Sequence, residues 1–259
     1  MARSTDGSAG DADYGEIGRT YSRFRQADPR IATVINTAFG DARRIINVGA
    51  GAGSYEPVDR EVTAVEPSAT MRAQRPPHLT RAIDAVAEDL PFPDGSFDAA
   101  LASVTIHQWT DLRQGLAELR RVTRGPIVLF VSDPDLLREF WLKHYAPEVV
   151  DAEARRFPPI KTVSAMLGGE VRVQSIPIPF DCSDGFNEAY YGRPEMLLNP
   201  DARLACSSWS FASRDVVARF ESELRRELDN GEWDARFGEY RTKESYDGSL
   251  RLIVSDFRV

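Results

Sequence analysis

The sequence predicts an α/β fold with a doubly wound, mostly parallel sheet and a helical cap supplied by the second half of the chain. Two observations predict this class. Short apolar runs of strand length alternate with helical or connecting segments up to residue 132, which is the pattern of parallel strands joined by right-handed crossovers. The first of these runs passes directly into a glycine-rich loop. A chain of 259 residues is long enough to bury the core of one such domain.

The first half of the chain supplies the elements of the sheet. Residues 14–39 are predicted to be helical, because apolar side chains recur at helical spacing after Pro29. The clearest helix covers 111–122, where one face is apolar and the other is charged. Short apolar runs predict buried strands at 44–48, 62–66, about 80–83, 97–102 and 127–131.

The second half is less regular. It contains helical stretches rich in aromatic residues, an outer strand that carries prolines, an amphipathic helix and a last strand, at 133–168, 170–180, 215–228 and 250–254 respectively. We expect a disordered polar tail over 1–13 and a single domain over 14–259. Within that domain, 133–168 and 181–212 are predicted to be insertions that cap the substrate.

The amino-acid composition indicates which kinds of binding partner to expect. The formal net charge of −8 argues against a nucleic-acid binder, which needs basic residues to neutralise phosphates. No apolar run is long enough to span a membrane. Cys182 and Cys206 have neither disulfide-framework nor metal-ligand spacing, so we expect no metal site and a reducing, cytoplasmic location. A monomer and a homodimer are both compatible with the sequence.

The glycine-rich loop is the strongest functional signal. Ligands of open α/β sheets bind at the carboxyl ends of the strands, where this loop lies. The dinucleotide fingerprint requires glycine or alanine at its third position, and this chain has Ser54 there. Glycine falls instead at 49, 51 and 53, a spacing typical of methyltransferases that bind S-adenosylmethionine. Glu66, at the end of the second strand, can accept hydrogen bonds from ribose hydroxyls of either cofactor class.

Several motifs in order carry a family resemblance. The segments 46–53, 64–68 and 87–92, followed by 96–98, resemble class I S-adenosylmethionine-dependent methyltransferases of the type 11 group, over residues 14–131. The resemblance implies S-adenosylmethionine as cofactor. It implies that the cofactor is held by Gly49, Ala50, Gly51, Gly53, Glu66, Pro67, Met71, Ala87, Glu88 and Ser103. Many relatives have an aspartate that binds the adenine amine where this chain has Val86, so adenine recognition depends on Glu88 or on the backbone alone.

Few residues are candidates for the chemistry, because methyl transfer mainly requires alignment of the nucleophile and exclusion of water. His107 follows the fourth predicted strand and is a candidate general base or acceptor-orienting group; the alternative is a histidine that only packs against the loop. Tyr21 and Arg25 are one helical turn apart, and Arg25 can pair with the methionyl carboxylate. A surface arginine beside a core tyrosine explains the same spacing.

Aromatic side chains predict the nature of the acceptor. A pocket for an apolar or aromatic small molecule is predicted from Tyr14, Trp109, Trp141, Tyr145, Tyr190 and Tyr191, although aromatics at such spacing also build an ordinary core. The sequence therefore predicts methyl transfer to an O, N or C atom of a small metabolite. The alternatives are a nicotinamide-dependent oxidoreductase, or a protein of this fold that binds or cyclises S-adenosylmethionine without methylating.

Overall fold

The computed structural model describes residues 23–256. A six-stranded sheet lies at its centre, in the order β2-β1-β3-β4-β8-β5. Its strands are β1 (Arg44–Val48), β2 (Glu61–Val65), β3 (Ala99–Ser103), β4 (Ile127–Ser132), β5 (Glu170–Ser175) and β8 (Leu250–Asp256). The first four are mutually parallel, and β8 runs antiparallel to both β4 and β5. The predicted doubly wound, mostly parallel sheet is confirmed. Two short strands, β6 (Ile178–Pro179) and β7 (Ser245–Tyr246), form a separate pair.

Helices cover both faces of the sheet and form most of the second half. They are α1 (Pro29–Thr37), α2 (Ala69–Ala73), α3 (Leu112–Val122), α4 (Pro134–Leu137), α5 (Pro147–Arg156), α6 (Ile160–Leu167), α7 (Pro200–Leu204), α8 (Arg214–Asn230) and α9 (Glu232–Phe237). Short 3-10 helices cover Ile106–Gln108, Trp141–His144, Asn187–Tyr190, Pro194–Leu198, Ser207–Phe211 and Gly238–Thr242. The predicted helix at 111–122 is confirmed as α3. Its N-cap is Asp111, whose carboxylate accepts from the Gln114 N–H at 3.0 Å.

Three predicted elements differ from the structure. The strand expected at 80–83 is reduced to a single bridge between Val65 and Ile83, and Ile83 is 40% exposed. Within the described part of 14–39, the predicted helix is interrupted: residues 23–24 are helical, 25–28 are not, and α1 begins at Pro29 with Asp28 as its N-cap. The outer strand predicted at 170–180 splits into β5 and β6, with Pro177 between them.

Two apolar layers sandwich the sheet. Successive residues of a strand point to opposite faces, so Ile45 packs in one layer and Ile46 in the other. The layer around Ile45 joins α1 to the aromatic residues of the second half, including Trp141 and Trp233. The layer around Ile46 packs against α3. Both halves of the chain therefore contribute to the layer that contains Ile45.

No helix within residues 23–256 combines the length and apolar character needed to cross a membrane. Within that same stretch, no group of three or more histidine, cysteine, aspartate or glutamate side chains is arranged to hold a metal ion.

Candidate active site

A deep cleft opens at the carboxyl edge of the parallel strands. The loops after β1, β2, β3 and β4 form one side of it, and α5 with residues 184–188 and 206–207 forms the other. The cleft contains about 1550 Å³ of empty space, part of which is open to solvent. Its lining extends from the glycine loop after β1 to Glu153, Arg156 and Phe157 on the opposite side.

The glycine loop after β1 forms the floor of the cleft. Gly49 has φ +70°, and a Cβ atom there would lie 2.0 Å from Thr105 Oγ1. Its N–H and that of Ala50 both donate to the Val65 carbonyl at 2.9 Å. Gly51, with φ +51°, continues along the floor. Glycine at 49 therefore permits both the backbone turn and the close approach of the segment that follows β3.

Gly53, the third glycine of the loop, lies next to Leu79. It does not line the cleft, and a Cβ atom there would lie 2.2 Å from Leu79 Cδ1. Its φ of +98° also lies in the region that favours glycine. The positive φ accounts for glycine at this position, and the assignment of Gly53 to the cofactor stays a prediction.

A buried ion pair supports the glycine loop. Arg75 Nη2 donates to both carboxylate oxygens of Glu56, at 2.8 and 3.0 Å, and the two side chains are 3% and 1% exposed. Asn47 Nδ2 also donates to Glu56 at 2.9 Å, and Arg75 Nη1 reaches the Gly51 carbonyl at 3.3 Å. Sequence reasoning missed this pair, because its members are separated by β2 and only the fold brings them together.

Glu66 lies where the end of β2 meets the glycine loop. Its two carboxylate oxygens accept from the Gly51 N–H and the Ser68 N–H, each at 2.8 Å. Burial raises the pKa of Glu66, whereas these two hydrogen bonds oppose that rise. Each oxygen keeps a second lone pair, so the carboxylate can also accept from two hydroxyl groups of a ligand. Pro67 and Met71 line the cleft beside it.

Residues 86–88 form another part of the cleft wall. Val86, Ala87 and Glu88 all line the cleft. The Glu88 carboxylate accepts from Thr110 Oγ1 at 2.9 Å and from the Asp111 N–H at 3.0 Å, so it is engaged at the start of α3. Of the two means of adenine recognition left open by the sequence, this arrangement favours the backbone around Ala87.

His107 lies on the cleft wall beyond β3, after Ser103 and before Trp109, which both line the cleft. Its ring packs against Phe157 with the centroids 4.4 Å apart, and no described residue hydrogen-bonds to its buried Nδ1. Burial, assisted by the charge of Arg156, lowers the pKa of His107 to about 3. The imidazole is therefore neutral at ordinary pH and can exchange a hydrogen bond with a ligand, but it binds a proton weakly.

Arg25 reaches the cleft from the segment before α1. Its Nε donates to Asp184, whose other carboxylate oxygen accepts from the Tyr55 hydroxyl at 2.9 Å. Sequence reasoning missed Asp184 and Tyr55, which compensate and anchor this guanidinium. Tyr21, which was predicted to lie beside Arg25, and Tyr14, which was predicted for the acceptor pocket, fall outside the described residues.

A second group of cleft residues was also missed. Glu153, Arg156 and Phe157 lie on one face of α5 and its end, at the spacing of one helical turn, and Asn187 and Glu188 lie opposite the glycine loop. The one available signal was that three-residue spacing on α5, which is equally typical of a solvated helix face.

Four predicted acceptor residues lie in the core and not on the cleft. Trp141, Tyr145, Tyr190 and Tyr191 are each at most 3% exposed, and none of them lines the cleft. The Trp141 indole N–H donates to the Tyr191 carbonyl at 2.9 Å, so its polar end is satisfied internally. Their predicted contribution to the acceptor pocket is corrected. Among residues 23–256, the aromatic residues on the cleft are Tyr55, Trp109, Phe130, Phe157 and Phe186.

Comparison with known proteins agrees with this geometry. Residues 46–129 match a family model described as a methyltransferase domain. The chain is 32% identical to a protein of known structure from Anabaena variabilis that is assigned as a methyltransferase from an antibiotic biosynthesis pathway. That match covers 90% of this chain and 99% of the other, with a TM-score of 0.84.

Two curated relatives are similar over shorter stretches. One is the malonyl-[acyl-carrier protein] O-methyltransferase of Pseudescherichia vulneris, 28% identical over 66% of this chain and 72% of that protein. The other is the ubiquinone/menaquinone biosynthesis C-methyltransferase of a Geobacter species, 37% identical over 27% of this chain and 34% of that protein. Since one is named as acting on oxygen and the other on carbon, the family likeness does not fix the acceptor atom.

Proposed function

Because this chain belongs to the class I S-adenosylmethionine-dependent methyltransferases, we propose that its cleft holds a small acceptor molecule against the methyl group of that cofactor. One observation carries the proposal. A single continuous cleft joins the glycine loop and Glu66 to a separate wall that carries His107 and Glu153. The cofactor supplies a methyl group activated by a positively charged sulfur, so the protein has to align the acceptor and exclude water.

The cofactor end is assigned from the geometry of its polar groups. Glu66 accepts the ribose hydroxyls through its remaining lone pairs. Met71 and the backbone of Ala87 hold the adenine, and the loop at 49–51 with Ser103 holds the methionyl portion. Arg25 lines the cleft, and its guanidinium, which also pairs with Asp184, is assigned to the methionyl carboxylate. The tight approach of Gly49 to Thr105 keeps this end of the cleft narrow enough for close backbone contact.

The acceptor end favours a molecule with an apolar or aromatic body. Leu137, Phe130, Phe157 and Phe186 line it, and such side chains bind by excluding water. His107 stands among them as a neutral imidazole. Since its pKa of about 3 makes it a weak base, we assign it to orienting the acceptor rather than to removing a proton from it.

The proposal is tested first on binding and then on transfer. Calorimetric titration should show that the protein binds S-adenosylmethionine and its demethylated product, and that it does not bind NADH. Glu66→Ala should weaken that binding at least tenfold, because the ribose loses two charge-assisted hydrogen bonds. Glu61→Ala is the matched control, since Glu61 begins the same strand, is exposed and does not line the cleft.

Transfer is tested with isotope-labelled methyl donor and a metabolite extract, by following label into small molecules. A labelled apolar or aromatic product is expected. Binding of NADH in place of the sulfonium cofactor would refute the proposal at its first step. Cofactor binding without any labelled product would instead favour a protein that binds or cyclises the cofactor.

A further inference from the structure

A chain of buried hydrogen bonds holds Glu153 in one orientation. The Trp209 indole N–H donates to Asn187 Oδ1 at 2.9 Å, which fixes which end of the amide is the acceptor. Asn187 Nδ2 then donates to Glu153 Oε2 at 2.8 Å and to Ser208 Oγ at 3.0 Å. Ser208 Oγ in turn donates to Glu153 Oε2 at 2.8 Å. Asn187, Ser208 and Trp209 are all buried, so these hydrogen bonds are shielded from water.

These donors all converge on one oxygen. Within residues 23–256, no side chain or backbone group donates a hydrogen bond to Glu153 Oε1. Glu153 itself lines the cleft and is only half-buried. It lies one helical turn before Phe157, whose ring packs on His107. The carboxylate therefore presents one unengaged oxygen at the acceptor end of the cleft, where a ligand donor can reach it.

The charged residues of the cleft indicate which kind of ligand would donate a hydrogen bond to Glu153. Among the described residues that line it, carboxylates outnumber guanidinium groups; they are Glu66, Glu88, Glu153, Asp184 and Glu188 against Arg25 and Arg156. Such a cleft repels an anionic acceptor, and it disfavours a phenol or alcohol because the nucleophilic form of each is an anion. It favours a cation, which also has N–H donors for a carboxylate oxygen.

We propose that the acceptor is an amine, bound in its ammonium form by Glu153 Oε1, and that the reaction forms an N–CH₃ bond. This inference rests on the proposed methyltransferase function and names its substrate class. Glu153 is then the residue that distinguishes amines from alcohols and acids. The apolar side chains around it receive the body of the amine, and His107 orients that body.

The bonds and protons of the reaction balance. Before transfer, the bound ammonium releases one proton to solvent water. The free nitrogen lone pair then forms the new bond to the methyl carbon. The carbon–sulfur bond breaks with its electron pair on sulfur, which becomes a neutral thioether. The positive charge passes to the methylated nitrogen, which Glu153 continues to hold as product.

The test uses matched probes that differ only in their polar head. Arylalkylamines with one to three methylene groups, and the corresponding alcohols and carboxylates, are titrated at pH 7 into the full chain saturated with S-adenosylhomocysteine. At least one amine should bind ten times more tightly than its alcohol and acid. The amines that bind should also accept labelled methyl from S-adenosylmethionine on nitrogen.

Substitution of Glu153 supplies the second arm. In Glu153→Gln the side-chain oxygen pairs with Asn187 and Ser208, so the NH₂ group faces the cleft. Amine affinity should then fall at least tenfold, because a hydrogen bond between charged groups is lost, while alcohol affinity stays within twofold. Glu148→Gln is the matched control: it removes the same charge from the same helix, where Glu148 pairs with Arg219 away from the cleft.

The outcomes separate this inference from the proposed function. Binding of S-adenosylhomocysteine with no amine preference, or an unchanged amine affinity in Glu153→Gln, overturns the amine proposal alone. Failure of the wild-type chain to bind S-adenosylhomocysteine overturns the proposed function itself. A circular-dichroism melt of each variant shows whether it is folded; if Glu153→Gln does not fold, Ser208→Ala, which removes one donor to Oε2, should still weaken amine binding selectively.

Discussion

The contact between Gly49 and Thr105 leads to a quantitative prediction for Gly49→Ala. Two costs are expected. A left-handed backbone costs a residue with a Cβ roughly 1–2 kcal/mol, and the φ of Gly49 is +70°. The new Cβ would also lie 2.0 Å from Thr105 Oγ1, 2.7 Å from its Cβ and 2.8 Å from its Cγ2. Overpacking of this kind costs typically 1–3 kcal/mol, so Gly49→Ala should lose about 2–5 kcal/mol in free energy of unfolding.

The chain offers a control that carries only the first cost. Gly40 has φ +54°, and nothing lies within 4 Å of a Cβ built there. Gly40→Ala should therefore lose only about 1–2 kcal/mol, the price of the backbone conformation. In a Thr105→Ala background, Gly49→Ala should cost less than in the wild type, because two of the three close atoms are gone. It should still cost more than Gly40→Ala, because the Cβ atom of residue 105 remains.

Urea denaturation of the four variants, followed by circular dichroism, measures these differences as a double-mutant cycle. A titration with S-adenosylhomocysteine shows in parallel whether displacement of the loop weakens the cofactor site. If Gly49→Ala costs no more than Gly40→Ala, then the close approach of Thr105 does not constrain the loop, and the account of the cleft floor is wrong.

Three further outcomes follow from buried ionisable groups. Glu56→Gln should lower the free energy of unfolding by about 3–5 kcal/mol in urea melts, since it leaves Arg75 buried without its anion. The control Asp59→Asn, at an exposed carboxylate, should change it by less than about 0.5 kcal/mol. Equal losses in the two variants would contradict the burial argument. The pKa of Glu188 is raised from 4.5 to about 7, so the folded protein keeps a proton that the unfolded chain releases. The stabilisation from this raised pKa is present below pH 4.5 and is lost as the pH rises through 7, by up to about 3 kcal/mol in free energy of unfolding. In a series of urea melts, Glu188→Gln should therefore remove this fall in stability with pH. The same fall in the variant as in the wild type would refute the prediction. The ring of His107, with its pKa lowered to about 3, should show no NMR titration near neutral pH, whereas a midpoint near the ordinary value of about 6.5 would contradict its burial.

The cofactor end of the cleft could be predicted because its determinants are local in sequence. The glycine loop directly follows β1, and Glu66 directly follows β2. Parallel pairing of these strands, with Val48 opposite Val65, brings the two segments together without any further information. Gly53 was assigned to the cofactor by the same spacing, but its contact with Leu79 depends on packing that no local pattern encodes.

The acceptor end could not be predicted in the same way. It combines residues from α5, the segment around Asn187 and the turn that follows β3, and nothing in the sequence relates one to another. The aromatic prediction included Trp109, which lines the cleft, and also Trp141 and Tyr191, which lie in the core, because a core and a pocket share the same pattern. Glu153 has no distinguishing neighbour in the sequence; its role depends on hydrogen bonds from Asn187 and Ser208, which only the folded chain supplies.

The antiparallel strand β8 has a consequence for how the molecule is made on the ribosome. It lies between β4 and β5, yet β4 ends at Ser132 and β8 begins only at Leu250. Every residue of β4 is buried in the finished sheet. While the intervening residues are being translated, one edge of β4 has no pairing partner, and β5 cannot join the sheet. The nascent chain thus carries an open apolar strand edge, a known template for aggregation, and the sheet is completed only after residue 250 emerges.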